Sequence, residues 1–231
     1  MTNILKKAVA GLLDQILSPS KVIDVRAWHP ATIYEVDIHF PKAAMDKWST
    51  IKRLKCKVGE LQYKDYTPAL WNAERKLCTM YIEAGHNGAG SHWVRKLKPG
   101  DEILLSEAHA AQLPAAEGKI LCLGDGTAIG HFLALKQLTG RNQYPMEVGI
   151  FLHENYRIPI PLININPEFT FITKPGEDGL DLLTQWCKSK TLSSYSSIYL
   201  AGNIPMVKAL RTMLKATTNT TGRIYAHGFW S

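Results

Sequence analysis

The chain holds 231 residues, with 27 Lys and Arg against 20 Asp and Glu, a formal charge of +7 and 45% hydrophobic residues. That supply of apolar side chains supports one large or two compact domains and excludes a disordered tail or a long repeat array; two domains are expected. No apolar run approaches the roughly 20 residues that span a bilayer, and the first residues lack the basic start, apolar stretch and small-residue site of a secretory leader, so a cytoplasmic protein without stable membrane association is expected.

Residues 3–17 place Ile4, Leu5, Val9, Leu12, Leu13, Ile16 and Leu17 near helical spacing before Ser18-Pro19-Ser20 stops the pattern, which predicts an amphipathic helix within residues 1–20. From Val22 to Leu105 the chain changes to short β-rich segments at 22–28, 33–40, 53–58, 77–84 and 103–105, separated by Pro, Gly, Asn and Asp. Residues 21–106 therefore read as an antiparallel sandwich or barrel. Within Arg53-Leu54-Lys55-Cys56-Lys57-Val58 the alternation sends Leu54, Cys56 and Val58 to the core and Arg53, Lys55 and Lys57 to the other face. Residues 42–64 carry seven Lys or Arg and two acids, a net of +5, so a basic surface stripe is expected there. Cys56, Cys78, Cys122 and Cys187 show no metal or disulfide spacing and read as buried free thiols.

Residues 107–118, rich in Ala, Pro and Gly, read as a linker. Beyond it, strands at 119–123, 147–152, 169–172, 197–201 and 223–226 alternate with helices at 127–138, 178–188 and 205–215, which implies an α/β domain over 119–231 with a covered parallel sheet.

The run from Ile120 through Gly124, Asp125, Gly126, Thr127 and Ala128 to Gly130 joins an apolar strand to a helix through glycines. There the backbone can approach a ligand, and the helix start favours a pyrophosphate. The segment lacks the G-K-[ST] of a P-loop, and its third glycine falls one place late for G-x-G-x-x-G, so a plain tight turn is the competing reading. A second strand ends at Gly202-Asn203 with Pro205 at a helix start, and ligands of open α/β sheets bind at such carboxyl ends. In the first half, Tyr66 offers a ring, Thr67 a hydroxyl, and Gly88 to Ser91 a group of backbone N–H donors. An aromatic plate beside a phosphate cradle suits a flavin nucleotide; a core tyrosine and a glycine-rich hairpin are the alternatives.

Over residues 20–231 the sequence resembles the siderophore-interacting proteins, a branch of the ferredoxin-reductase-like flavoenzymes. The resemblance rests on Lys64-Asp65-Tyr66-Thr67 for R-x-Y-T, on His86 through Trp93 as an altered form of H-G-x-x-G-P-A-S-x-W with Gly88, Ser91 and Trp93 retained, and on Gly124 through Ala128 for G-D-x-T-A. It also rests on Ala201-Gly202-Asn203 with Ala209-Leu210-Arg211 for A-G-E and A-L-R, and on Gly228-Phe229-Trp230 for G-Y-W. It implies a two-domain ferredoxin-reductase-like fold, an N-terminal antiparallel β-barrel holding FAD and a C-terminal α/β parallel-sheet domain holding NAD(P)H, and reduction of ferric siderophores to release Fe(II). It further implies that Lys64, Tyr66, Thr67, His86, Gly88, Ala89, Gly90, Ser91, Trp93 and Trp230 bind FAD. Gly124, Asp125, Gly126, Thr127, Ala128, Gly202, Asn203 and Arg157 would bind the nicotinamide nucleotide, NADPH or NADH. Lys64 for arginine, Ala69 for a second arginine, Ala89 for proline, Asn203 for glutamate and Ser106-Glu107 for a Gly-Pro turn mark a divergent branch.

Hydride and electron transfer are carried by the cofactors, so no catalytic triad is expected. Lys52, Arg53, Lys55 and Lys57 are the candidates for attracting an anionic ferric chelate such as a catecholate, a solvated strand face being the alternative. The histidines show no H-x-x-x-H register and no protein metal site is expected; no nucleic-acid motif accompanies the basic stretch, and a monomer is expected. A reductase of ferredoxin or flavodoxin and a non-catalytic siderophore-binding protein are the other readings. After the strand at 147–152, Glu154 could meet a ribose hydroxyl and Arg157 a 2′-phosphate, which leaves NADH and NADPH both open.

Overall fold

A computed structural model describes residues 14–140, 144–173 and 178–231. The chain divides into two compact units, one reaching Ala27 and resuming over Ala31–Gln112, the other formed by Trp28–Pro30 and Leu113–Ser231. The expected N-terminal helix falls mostly outside the described residues; Asp14 to Ile16 are helical, and the first strand already begins at Ser18.

The first unit contains β1 (Ser18–Ala27), β2 (Ile33–His39), β3 (Ile51–Gly59), β4 (Gln62–Tyr66), β5 (Pro68–Asn72), β6 (Leu77–Glu83), α1 (Ala89–Val94) and β7 (Glu102–Ala111). The strands form one sheet in the order β4-β3-β7-β1-β2-β6-β5, every neighbouring pair antiparallel, so the architecture is a half-barrel. The alternation expected in β3 is present: Leu54 and Cys56 are fully buried and Val58 nearly so, while Arg53, Lys55 and Lys57 lie half-exposed. Each buried aliphatic contributes roughly 1.5–3 kcal/mol on leaving water, which fixes the register of this strand.

Three features depart from the sequence reading. β4 and β5 flank Thr67, between the segments 53–58 and 77–84 where no strand was expected, because the Gln-Tyr-Lys-Asp-Tyr edge strand is mostly exposed and shows no apolar alternation. The glycine-rich stretch after β6 closes into the six-residue helix α1. The expected linker at 107–118 is strand as far as Ala111, because β7 continues along β3 with Glu107 opposite Leu54 and Ala111 opposite Ile51.

The second unit contains β8 (Lys119–Asp125), a short 3-10 turn (Gly126–Ala128), α2 (Ile129–Thr139), β9 (Met146–Leu152), α3 (Ile160–Ile165), β10 (Phe169–Thr173), α4 (Gly179–Lys188), β11 (Tyr195–Asn203), α5 (Ile204–Ala216) and β12 (Arg223–Trp230). Its sheet runs β10-β9-β8-β11-β12, all parallel. Covered on both faces, β8 is a continuous apolar run with Ile120 to Leu123 fully buried. Leu121, Leu123 and Leu200 pack against Leu183 of α4 and Leu210 and Leu214 of α5. Asp178 caps α4 by accepting the Leu180 N–H, and Asn203 caps α5 by accepting the Met206 N–H, with Pro205 in the first turn. The proline-rich α3 was not expected. All four cysteines are free and buried, and no helix among the described residues is long and apolar enough to cross a membrane.

Candidate functional site

In the first unit, β4 delivers Tyr66 and α1 delivers Trp93, and their rings stack with centroids 6.0 Å apart and planes 11° from parallel. The Tyr66 hydroxyl rests over the Gly90 backbone, and a Cβ on Gly90 would stand 2.2 Å from that oxygen and 3.5 Å from Lys64 Cγ. Lys64, Tyr66, Gly90 and Trp93 are therefore brought together. Burial pushes the Tyr66 phenol well above its ordinary value, so it remains a neutral hydrogen-bonding group. Thr67 follows directly and is half-buried.

Gly88 is the N-cap of α1 and its carbonyl accepts the His92 N–H at 3.0 Å, while a Cβ at Gly88 would meet the His86 ring at 3.0 Å. The N–H groups of Ala89, Gly90 and Ser91 stand in the first turn, where a helix provides no acceptor of its own. Ser91 is 1% exposed, and its hydroxyl has no hydrogen-bond partner among the described residues. A buried hydroxyl in that state costs free energy that a hydrogen-bonding ligand would return. The opposite end of α1 is fixed by a hydrogen bond from the Arg95 guanidinium to the Ala84 carbonyl.

An open groove of about 360 Å³, at the lower end of small-molecule sites, is lined by Ala89, His92 and Trp93 of α1, by Lys96 and Leu97 just beyond it, and by Val58, Gln62 and Asp101. His92 and Lys96 were not assigned a binding role from sequence, because no helix was expected at Ala89–Val94 to bring His92 onto the groove.

The basic stripe on β3 carries acids. Lys55 pairs with Asp65 at 2.7 Å, Lys57 with Asp14 at 2.8 Å and Lys52 with Glu107 at 4.0 Å. Asp14 also accepts the Tyr63 hydroxyl at 2.9 Å, and its carboxyl is held below its ordinary value by Lys57 and Tyr63. Arg53 occupies the same strand face. The net positive field implied by counting residues 42–64 is smaller than that count, since Asp14, Asp65 and Glu107 lie outside that window.

In the second unit the strand order reverses between β8 and β11, and the carboxyl ends of those strands carry the two predicted glycine turns. Gly124 lies opposite Ala201, and a Cβ on it would meet the Ala201 carbonyl at 2.5 Å and the Ala128 methyl at 2.6 Å, so the residue must be glycine. Gly202 has φ of +125° and faces the Asp125 carboxylate, which a Cβ there would strike at 2.5 Å.

Asp125 is 7% exposed. It accepts the Thr127 N–H at 2.9 Å and the Thr127 hydroxyl on one oxygen, the Asn203 N–H at 2.7 Å on the other, and the Trp230 indole N–H. Burial pushes its carboxyl up while these donors pull it down, and burial prevails. The structure thus joins Gly124 to Ala128 with Gly202 and Asn203, and adds Trp230, which pairs with Asn203 in the sheet. Arg157 lies past the end of β9, exposed, its N–H bonded to the His29 carbonyl at 2.7 Å; Glu154 faces His153 at 3.7 Å. Farther along α2, the buried His131 ring lies 5.0 Å from that of His227 and 5.6 Å from that of Phe229. Among the described residues no group of three His, Cys, Asp or Glu is placed to hold a metal ion.

No protein-family model and no curated protein matches this sequence. Solved structures do match. The siderophore-interacting protein of Acinetobacter baumannii is 15% identical, with 93% of this chain and 89% of that one covered at a TM-score of 0.71. The siderophore-interacting protein SipS of Aeromonas hydrophila is 14% identical over 93% and 91% of the two chains, with a TM-score of 0.72. Phthalate dioxygenase reductase, described as a modular structure for electron transfer from pyridine nucleotides to [2Fe-2S], is 12% identical over 94% of this chain and 69% of its own, with a TM-score of 0.74. The half-barrel followed by a five-stranded parallel α/β unit is the ferredoxin-reductase-like fold. It is the fold of the siderophore-interacting proteins whose motifs the sequence resembles.

Proposed function

We propose that this chain is a flavin-dependent NAD(P)H reductase whose electron acceptor is a ferric siderophore. The observation that carries the flavin assignment is the Tyr66 hydroxyl over Gly90 together with the next residue, Ser91, whose buried hydroxyl has no partner among the described residues. The residues present fit a flavin nucleotide. Ser91 and the N–H groups of Ala89 and Gly90 supply donors for phosphate oxygens, Lys64 supplies charge, and Tyr66 and Trp93 supply aromatic surface. The bound flavin supplies the chemistry, accepting a hydride and passing on single electrons.

What the chain's own residues contribute is binding and orientation. His86 and Gly88 shape the entrance to the α1 turn, and Thr67 presents a hydroxyl next to the Tyr66 ring. In the second unit, Gly124 to Ala128 and Gly202-Asn203 form the switch-point crevice for the nicotinamide nucleotide, with Arg157 available to a 2′-phosphate. Trp230, 36% exposed, supplies an aromatic surface above that crevice. The first unit is the flavin-binding domain and the second the nucleotide-binding domain on this reading, and Lys52, Arg53, Lys55 and Lys57 steer the anionic chelate only through the charge their carboxylate partners leave over. Hard oxygen ligands hold Fe(III) far better than Fe(II), so reduction itself releases the metal.

The test is anaerobic turnover of a ferric tris-catecholate with FAD-loaded protein and NADPH or NADH, with a ferrous-specific chromophoric chelator as trap. Electron balance requires two Fe(II) trapped for each nucleotide oxidised. Nucleotide oxidation without Fe(II) would replace the chelate by another acceptor, such as a ferredoxin or flavodoxin. Chelate binding without flavin retention would instead indicate a non-catalytic siderophore-binding protein.

A further inference from the structure

Four donors from three separate segments converge on one buried carboxylate. Thr127 belongs to the turn after β8, Asn203 to the last position of β11, and Trp230 to the end of β12. Asp125 is a surprising residue in a turn suited to an anion, since a free carboxylate there would repel a pyrophosphate. Its oxygens are instead engaged by protein donors, and Gly202, with φ of +125°, leaves room for the carboxylate to reach across. A buried charge held only by dipoles responds when any one of them moves, because the remaining donors must satisfy the same oxygens. Asn203 extends the chain of contacts by capping α5 through Met206.

We propose that Asp125 is a positioning residue, not a ligand of the nucleotide, and that it ties the Trp230 indole to the carboxyl ends of β8 and β11 that form the nucleotide crevice, so that pyridine-nucleotide binding and Trp230 position are energetically coupled. The inference rests on the assignment of the crevice to a pyridine nucleotide. Asp125→Asn places an amide NH₂ against either the Thr127 donors or the Asn203 N–H, whichever way it turns. Trp230→Phe keeps an aromatic ring of smaller area and removes the indole donor, at a strand end where Trp230 is 36% exposed.

The experiment is calorimetric titration of NADP⁺ and NAD⁺ into the full chain, for the wild type, Asp125→Asn, Trp230→Phe and the double variant, with tryptophan fluorescence read in parallel. Each single variant is expected to raise the dissociation constant of the preferred nucleotide about tenfold, in the range of lost hydrogen bonds to a charged group, and the double variant to raise it no further. The fluorescence change that the wild type shows on saturation, and that Trp230→Phe identifies as Trp230, is expected to vanish in Asp125→Asn. A roughly hundredfold effect in the double variant, or a Trp230 response that survives in Asp125→Asn, overturns the coupling. If Asp125→Asn fails to fold, an unchanged dissociation constant in Trp230→Phe overturns it by itself. A wild type that binds neither nucleotide overturns the crevice assignment, and the coupling falls with it; the other failures leave that assignment standing.

Discussion

The hydroxyl of Tyr66 occupies the space above Gly90 so closely that a Cβ at residue 90 would lie 2.2 Å from it. A side chain at position 90 therefore forces Tyr66 to move, and with it the face stacked on Trp93. Gly90→Ala is expected to cost about 1–3 kcal/mol of stability, the usual cost of overpacking, and to abolish flavin retention after desalting. Denaturant melts and the visible spectrum of the FAD-incubated variant check both.

Ser91 gives a prediction of opposite sign. Its buried hydroxyl gains nothing from the described protein, so Ser91→Ala is expected to leave the flavin-free protein as stable as the wild type or up to about 1 kcal/mol more stable, while weakening FAD about tenfold. Thermal melts without FAD and flavin titrations check the two halves. A loss of stability without FAD would mean that the hydroxyl has a structural partner.

How much of this arrangement was legible in the sequence depended on whether neighbours in space were neighbours in the chain. The parity of Leu54, Cys56 and Val58 and the unbroken apolar run of Ile120 to Leu123 are local signals, and each declared its face. The Gly124 and Gly202 turns were visible because a strand, a glycine and a helix start follow one another. β4 was hidden because Gln62 to Tyr66 form a mostly exposed edge strand with no inward apolar row. The alanine-rich end of β7 read as a linker, whereas Ala108 and Ala111 pair with Arg53 and Ile51 of β3. The acids that neutralise Lys52, Lys55 and Lys57 come from Glu107, Asp65 and Asp14, and no charge count over a window finds them. The Asp125–Trp230 contact likewise joins residues from opposite ends of the second unit.

Gly202 combines a left-handed φ of +125° with a carboxylate on its open side. Gly202→Ala is expected to lose about 2–3 kcal/mol, through backbone strain and displacement of Asp125, and to weaken pyridine nucleotide binding more than flavin binding. Equilibrium unfolding with parallel titration of the two ligands checks it.

Glu147 sits between Lys119 and Lys190, which hold its carboxyl down to about 2. The folded value lies below the ordinary one of 4.5, so the contribution is complete above about pH 4.5 and is lost as pH falls toward 2. Because all three groups are partly solvated, Glu147→Gln is expected to cost no more than about 1 kcal/mol at neutral pH. The gap between wild type and variant should close between pH 4.5 and 2. Denaturant melts across that range check the sign, and a gap that widens toward acid would refute the assignment.

On the proposed function, the first unit holds a flavin that a pyridine nucleotide bound by the second unit reduces. The most direct measurement is the anaerobic visible spectrum of FAD-incubated, desalted protein before and after adding NADPH, then NADH. A protein-bound flavin spectrum that bleaches with at least one of the two is expected. A protein that emerges colourless, or a bound flavin that neither nucleotide bleaches, would contradict it.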